Sequence, residues 1–316
     1  MCRWTGRISR TITVTKRGIT RTGHNQAQAG TDAYAMDSQK KFPRTFSFEF
    51  FPPRNEEGRV KLRETVQQLA QLKPKFFSVT FGAGGSTREG TYETVKQIQA
   101  QGQQAAPHIS CMGTTRSDIR ALLDGYRQLG IRHVVALRGD LPKDAPQTGD
   151  FLHADELVAF IRAETGNELI VEVAAYPEFH PESPSAESDV RHFVNKVKAG
   201  ANSAITQYFF NVDAYWRFVE ECEALGVVVP IVPGIMPITN YKQLARFSDA
   251  CGAEIPRWIR RRLEGFGDDL DSIRAFGMDV TTDLCDKLLV GGAPGLHFYT
   301  LNRAGPTCTV WERLGL

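Results

Sequence analysis

What most limits the folds open to this chain is an alternation that starts at Phe46 and persists to the end: short β-branched and aromatic runs, each followed by an amphipathic stretch of helical period. Eight strand-like runs stand out: Phe46–Phe51, Phe76–Phe81, Ala105–Cys111, His133–Leu137, Leu169–Ala175, Ala204–Phe210, Val228–Ile235 and Leu296–Thr300. In the clearest helix between them, Ile119, Leu122, Leu123, Tyr126 and Leu129 share a face. Thr115 and Asp118 have capping-box spacing there, and Gly130 marks the stop. A second helix runs through Tyr215, Phe218, Val219, Cys222 and Leu225 to Gly226. The last crossover is longer, about 60 residues from Ile235 to Leu296, with room for extra helices around Ile255–Leu263. Eight such units predict an α/β chain folded as a single-domain (β/α)8 TIM barrel. A doubly wound open sheet is the alternative.

Composition supports a globular enzyme-sized body. Of 316 residues, 41% are hydrophobic and 23% charged, near globular averages. No run of 18 apolar residues occurs, so no membrane partner is expected. Six cysteines lack any C-x-x-C pair, which predicts reduced thiols and a cytoplasmic location. Residues 1–35 differ from the rest: Arg3, Arg7, Arg10, Lys16, Arg17 and Arg21 stand against Asp32 alone, and no apolar period is sustained. Such a segment cannot bury enough surface to order itself. A floppy tail, an organelle-targeting segment and a stretch upstream of a start at Met36 all fit its composition. The expected division is a basic, disordered extension over 1–43 and the barrel over 44–316. Residues 36–316 hold 32 bases and 35 acids, a net of −3, which speaks against a nucleic-acid partner.

Barrels of this kind carry their chemistry at the C-terminal ends of the strands. Those ends offer Glu49, Thr80, His108, Arg138 with Asp140, Tyr176 with His180, Gln207, a Pro-Gly-Ile-Met-Pro turn, and Asn302 with Arg303. Glu49 sits in Phe-Ser-Phe-Glu-Phe-Phe, and a carboxylate among phenylalanines is expected to lose solvation and gain pKa, as suits a general acid. A structural Glu paired to an Arg fits equally well. Arg138 and Asp140 place opposite charges at one strand tip, as a salt-bridged loop or as fixed charge beside a cofactor. His108, Asp140, Glu178 and His180 form the set that a metal-dependent hydrolase would use, although no H-x-H or H-E-x-x-H spacing occurs. No lysine lies at these strand ends, which disfavours Schiff-base chemistry. Gly82-Ala-Gly84-Gly85 is neither G-x-G-x-x-G nor a Walker A sequence, so a Rossmann site is not expected. Asp189, Asn195 and Lys196, taken alone, read as the solvated face of a helix ending at Gly200.

Taken in order, Ser-Phe-Glu-Phe-Phe-Pro-Pro, Ser-Val-Thr-Phe-Gly-Ala, Ala-Pro-His-Ile-Ser-Cys, Leu-Arg-Gly-Asp, Ala-Ala-Tyr-Pro-Glu-Phe-His-Pro-Glu, Ala-Ile-Thr-Gln-Tyr-Phe-Phe, Pro-Gly-Ile-Met-Pro and His-Phe-Tyr-Thr-Leu-Asn-Arg-Ala resemble the methylenetetrahydrofolate reductase family. The resemblance spans roughly residues 44–316, one motif per strand. In extent it is similar to the bacterial form, which lacks the eukaryotic C-terminal regulatory domain. It implies an FAD-containing barrel in which NAD(P)H reduces the flavin and leaves, after which 5,10-methylenetetrahydrofolate takes the hydride and becomes 5-methyltetrahydrofolate. It also implies a homo-oligomer. Carried over by position, Glu49 matches the general acid and Asp140 the carboxylate near the flavin pyrimidine edge and the pterin. Gln207, Gln243, Phe247 and Arg303 match contacts to folate or nicotinamide. Thr80, Ala83, His108, Leu137, Arg138, Gly139, Ala154, Tyr176, His180, Asp189 and Lys196 match the FAD set. Two positions depart from the pattern: Phe81 stands where Tyr is frequent, and Asn195 where a second base is familiar. A barrel that binds folate without turning it over is a further alternative, one that gives no reason for an acid at Glu49.

Overall fold

The computed structural model describes residues 37–81, 87–139 and 149–316. A short helix α1 (Asp37–Lys40) precedes β1 (Thr45–Phe50), α2 (Glu56–Ala70), β2 (Phe76–Val79), α3 (Arg88–Ala100) and β3 (Ala105–Ser110). There follow α4 (Arg116–Gln128), β4 (His133–Leu137), α5 (Ala154–Thr165), β5 (Ile170–Ala175), α6 (Ala186–Lys198) and β6 (Ser203–Tyr208). The chain continues through α7 (Val212–Ala224), β7 (Ile231–Ile235), α8 (Tyr241–Cys251), α9 (Arg257–Phe266), α10 (Leu270–Gly291), β8 (Gly295–Tyr299) and α11 (Ala304–Arg313). Each strand pairs in parallel with the next and β8 returns to β1, so the sheet is the closed barrel predicted, not an open one.

Period-two alternation sorts the side chains of each strand between two faces. Phe48 and Phe50 of β1 point outward into the main core with Phe77, Val79, Ile109, Val134, Val171 and Phe298, between barrel and helices. Ser47 and Glu49 point inward. The interior holds an apolar layer of Phe76, Ala106, Val135 and Ile205. Near the strand starts it also holds a polar group: His133 Nε2 lies 2.7 Å from Glu172 Oε1, and the Ser203 hydroxyl donates to Glu172 Oε2.

Helix α4 begins at the expected capping box, with the Thr115 side chain accepting from the Asp118 N–H and Asp118 accepting in return, and Gly130 follows it at φ +78°. The long crossover carries three helices. Their apolar faces join the ends of β6 and β7 in a second core of Tyr208, Phe210, Met236, Ile238, Leu244, Ile259, Leu263 and Ile273. Helices α8, α9 and the first half of α10 therefore sit at the C-terminal side of the barrel, while Leu284, Cys285 and Leu288 of α10 join the main core.

Contacts to the barrel begin before residue 44. Gln39 is buried against the start of β7, its Oε1 accepting from the Ile231 N–H at 2.9 Å and its Nε2 donating to the Val229 carbonyl at 3.4 Å. The described residues all belong to one unit. Among them, no helix is long and apolar enough to cross a membrane.

Candidate active site

A cavity of about 900 Å³ opens where β2 to β6 end, within the usual range for a ligand site. Its wall includes Thr80, His108, Leu137, Arg138, Gly139, Ala154, Tyr176, His180, Asp189, Lys196 and Gln207. These residues, scattered over the sequence, are brought together by the closure of the sheet. Gly139 makes part of this possible: it adopts φ +88°, and a Cβ there would collide with the Ser110 side chain.

Glu49 adjoins this cavity through His108 of its wall without lining it, and its side chain is 15% exposed. Three strands converge on it. Register pairs Glu49 with Ser78 of β2, whose hydroxyl donates to Glu49 Oε2 at 3.3 Å. His108 Nε2 of β3 stands 3.2 Å from the same oxygen, at ion-pair distance without hydrogen-bond alignment. His297 Nε2 of β8 is 3.4 Å away, and its Nδ1 is 2.7 Å from Ser47 Oγ, the residue opposite it in the ladder. Burial alone would raise the Glu49 pKa, as the sequence reading expects. The charge and contact of His108, and after it of His297, outweigh burial and bring the group down to about 2. The expectation of a raised pKa is therefore overturned, and so is the pairing with an arginine.

Tyr299 crosses the barrel to donate from its hydroxyl to the Thr206 carbonyl at 2.7 Å. Gly234 is required beneath it, since a Cβ there would meet the Tyr299 ring and the Thr206 carbonyl.

On the cavity's other side, Arg138 pairs with Glu182. The backbone N–H of His180 donates to Asp189 Oδ2 at 3.2 Å, and Lys196 Nζ donates to the Ala174 carbonyl at 2.6 Å. Burial pulls Lys196 down to about 8 and raises Asp189. Both therefore belong to the wall rather than to a solvated helix face. His153 and His192 also line the cavity, with ring centroids 5.3 Å apart. Two buried polar atoms of the wall, Thr80 Oγ1 and His108 Nε2, have no hydrogen-bond partner among the described residues. His108 Nε2 already faces Glu49, which leaves Thr80 Oγ1 as the unmatched atom; with the size of the cavity and its mixture of cationic and apolar groups, it fits a large, polar, anionic cofactor such as FAD.

Not every expected residue joins this wall. Gln243 and Phe247 stand on α8 and Arg303 caps α11. None of the three lines the cavity, although α8 reaches it through Ala250 and Cys251. Ala83 and Asp140 lie outside the described residues. Among those described, no three His, Cys, Asp or Glu side chains group as a metal ion requires, so His108, Glu178 and His180 are not assembled as ligands. The strand-end reading passed over Ser47, Ser78 and His297. The alternation of Gly295–Tyr299, which puts His297 and Tyr299 on the inner face, was the signal that could have found the last of these.

A model of the methylenetetrahydrofolate reductase family matches residues 35–315. The chain is 41% identical over 271 residues to 5,10-methylenetetrahydrofolate reductase of Salmonella typhimurium, covering 85% of this chain and 90% of that one. It matches the Escherichia coli enzyme of the same name to the same extent. Among solved structures, a protein from Clostridium thermocellum that binds two copies of 5-methyl-5,6,7,8-tetrahydrofolic acid shares the fold. Its TM-score is 0.60 at 15% identity, with 86% of this chain and 95% of that one covered. Barrel, cavity and sequence thus agree, and the chain belongs to the methylenetetrahydrofolate reductase family.

Proposed function

We propose that this chain is a flavoenzyme that reduces 5,10-methylenetetrahydrofolate to 5-methyltetrahydrofolate with NAD(P)H, the two substrates using one mouth in turn. The observation that carries this reading is Glu49, held between two imidazoles beside a cavity whose wall collects the residues the family uses for FAD. Thr80, His108, Leu137, Arg138, Gly139, Ala154, Tyr176, His180, Asp189 and Lys196 would hold FAD, with Ala83 and Asp140 completing the set. When bound, FAD supplies the two-electron relay between nicotinamide and folate. Gln207, Gln243, Phe247 and Arg303 would contact the folate or the nicotinamide.

Opening the five-membered ring of methylenetetrahydrofolate requires a proton on the departing amine. With the Glu49 carboxyl drawn down to about 2 by the contacts of His108 and His297, it is ionised at neutral pH and has to take up a proton before it can serve this step. Glu49 then passes it on, and Ser47 holds the His297 ring in place for the transfer. Hydride transfer from a nicotinamide needs no such proton. The three side chains therefore serve the folate step.

The test is direct. The purified protein should be yellow, or become so on reconstitution with FAD. Anaerobic mixing with NADH or NADPH should bleach the flavin band, and methylenetetrahydrofolate should restore it with formation of 5-methyltetrahydrofolate. A protein that takes up no FAD, or whose reduced flavin is indifferent to the folate, would sink the proposal.

A further inference from the structure

The loop between β5 and α6 carries Tyr176 and His180 to the cavity wall, and between them stands Glu178, which does not line the cavity. Its Oε2 accepts from the backbone N–H of Glu254, in the linker between α8 and α9, at 2.8 Å. Its Oε1 is buried with no hydrogen-bond partner among the described residues. A buried polar atom without a partner is costly, and the fold adds a second cost beside it: Phe179 adopts φ +73°, a left-handed conformation unusual outside glycine.

The loop is gripped from two directions. From α7, Arg217 stacks on the Phe179 ring with 5.7 Å to its centroid and donates to the Pro177 carbonyl at 3.4 Å. From the other side, Gly252 at φ +77° packs so closely on Pro181 that a Cβ there would strike its ring. Gly252 follows Cys251, which lines the cavity and whose Sγ lies 3.5 Å from the Tyr208 hydroxyl of β6. The polar bond across this seam joins the loop that shapes the cofactor side to the end of α8, which bears Gln243 and Phe247.

We propose that Glu178 is a positioning residue: its carboxyl group ties the β5–α6 loop to the α8–α9 linker, so that the cofactor wall and the substrate helix keep one relative placement. The consequence for FAD rests on the cofactor reading above, whereas the tie itself does not.

The tie is coupled to a proton. Arg217 from α7, Glu254 from the linker and Tyr208 from β6 face the carboxyl group. Burial raises its pKa, the Glu254 N–H lowers it, the Glu254 charge raises it and Arg217 lowers it, which leaves it at about 7 against an ordinary 4.5. A group whose pKa is raised in the tied state binds its proton there. The Glu254 N–H bond alone favours the carboxylate, but closing the tie also buries the group, and burial is the larger effect, so the closed tie is firmest at low pH, weakens as pH rises from the ordinary carboxyl value through about 7, and is constant above that.

Hydrogen exchange at the Glu254 amide, corrected for intrinsic rate, and FAD affinity by flavin fluorescence should be followed from pH 5 to 8.5 in the full-length protein, Glu178→Gln and Glu178→Ala. In the wild type, protection of that amide should fall at least about tenfold across the range. In Glu178→Gln it should stay near the low-pH level and be flat, since the amide carbonyl still accepts and cannot ionise. In Glu178→Ala it should be low throughout, with FAD bound about tenfold more weakly than by the wild type at pH 5. A wild-type pH slope persisting in Glu178→Gln, or full protection or unchanged FAD affinity in Glu178→Ala, would overturn the proposal. Should Glu178→Ala not fold, the flat profile of Glu178→Gln still decides. Failure of the wild type to take up FAD would refute the cofactor reading and leave the exchange comparison to judge the tie.

Discussion

Along the chain Glu49 is flanked by Phe48 and Phe50, and that neighbourhood predicts a carboxyl group made weakly acidic by lost solvation. Closing the barrel turns both phenylalanines outward into the main core and brings His108 and His297 to the carboxylate from strands 59 and 248 residues away. Position and identity of the residue were legible because period-two alternation and the strand-end rule are local. Its electrostatics were not, since they depend on which strands meet across the barrel. Lys196 and Asp189 show the same limit: spacing on α6 reads as a polar face, and only the packed barrel turns that face into the cavity. For the mechanism the predicted outcome is asymmetric. Glu49→Gln keeps shape but cannot pass a proton, so the folate half-reaction should slow by roughly 10²–10⁴-fold, the usual contribution of acid–base catalysis. Flavin reduction by NAD(P)H should stay within a few-fold. Rapid-mixing absorbance on each half separately makes the comparison, and equal losses in both would assign Glu49 to flavin placement instead.

At the scale of elements, all eight strands fall where alternating β-branched and aromatic runs put them, with ends displaced by up to three residues. The expected seventh strand begins at Val228, whereas pairing starts at Ile231 because the Val229 carbonyl is taken by Gln39 and Pro230 follows. Helix α4 was legible to its caps. Helices α8 and α10 were not, because α8 serves a second small core that the repeating strand–helix pattern does not announce and α10 divides its apolar residues between that core and the main one. The polar group inside the barrel was equally invisible: His133, Glu172 and Ser203 sit within apolar strand sequences and find one another only across β4, β5 and β6. Removing one partner of a buried pair leaves the other unmatched, which typically costs about 3–5 kcal/mol. Glu172→Ala should lower the stability to urea by that amount without changing the shape of the cavity. A loss below about 1 kcal/mol would show that water enters the barrel and replaces the carboxylate.

The whole molecule divides by composition into a basic first segment and a mildly acidic body, and the two carry different expectations. Residues 1–35 sustain no apolar period in sequence, so a protein beginning at Met36 is expected to melt within about a degree of the full chain and to hold as much flavin. A drop of several degrees would show that the segment docks. The body's response to acid follows from its buried carboxylates. Glu49 and Glu172 are both held below the ordinary carboxyl range, each by contact and charge from histidine that overcomes burial. A depressed pKa contributes stability that is fully present above the unfolded value and is lost as pH falls through the folded one. Stability should therefore drop between about pH 4.5 and 2, with Glu49 responsible for on the order of 3 kcal/mol. Glu49→Gln removes that titration, so its unfolding free energy should fall less steeply over the same interval, by about one proton in slope. Urea midpoints measured from pH 5 to 2.5 for both proteins give the difference. Parallel acid limbs would mean that the proton is taken up elsewhere and that the two imidazoles do not hold Glu49 ionised.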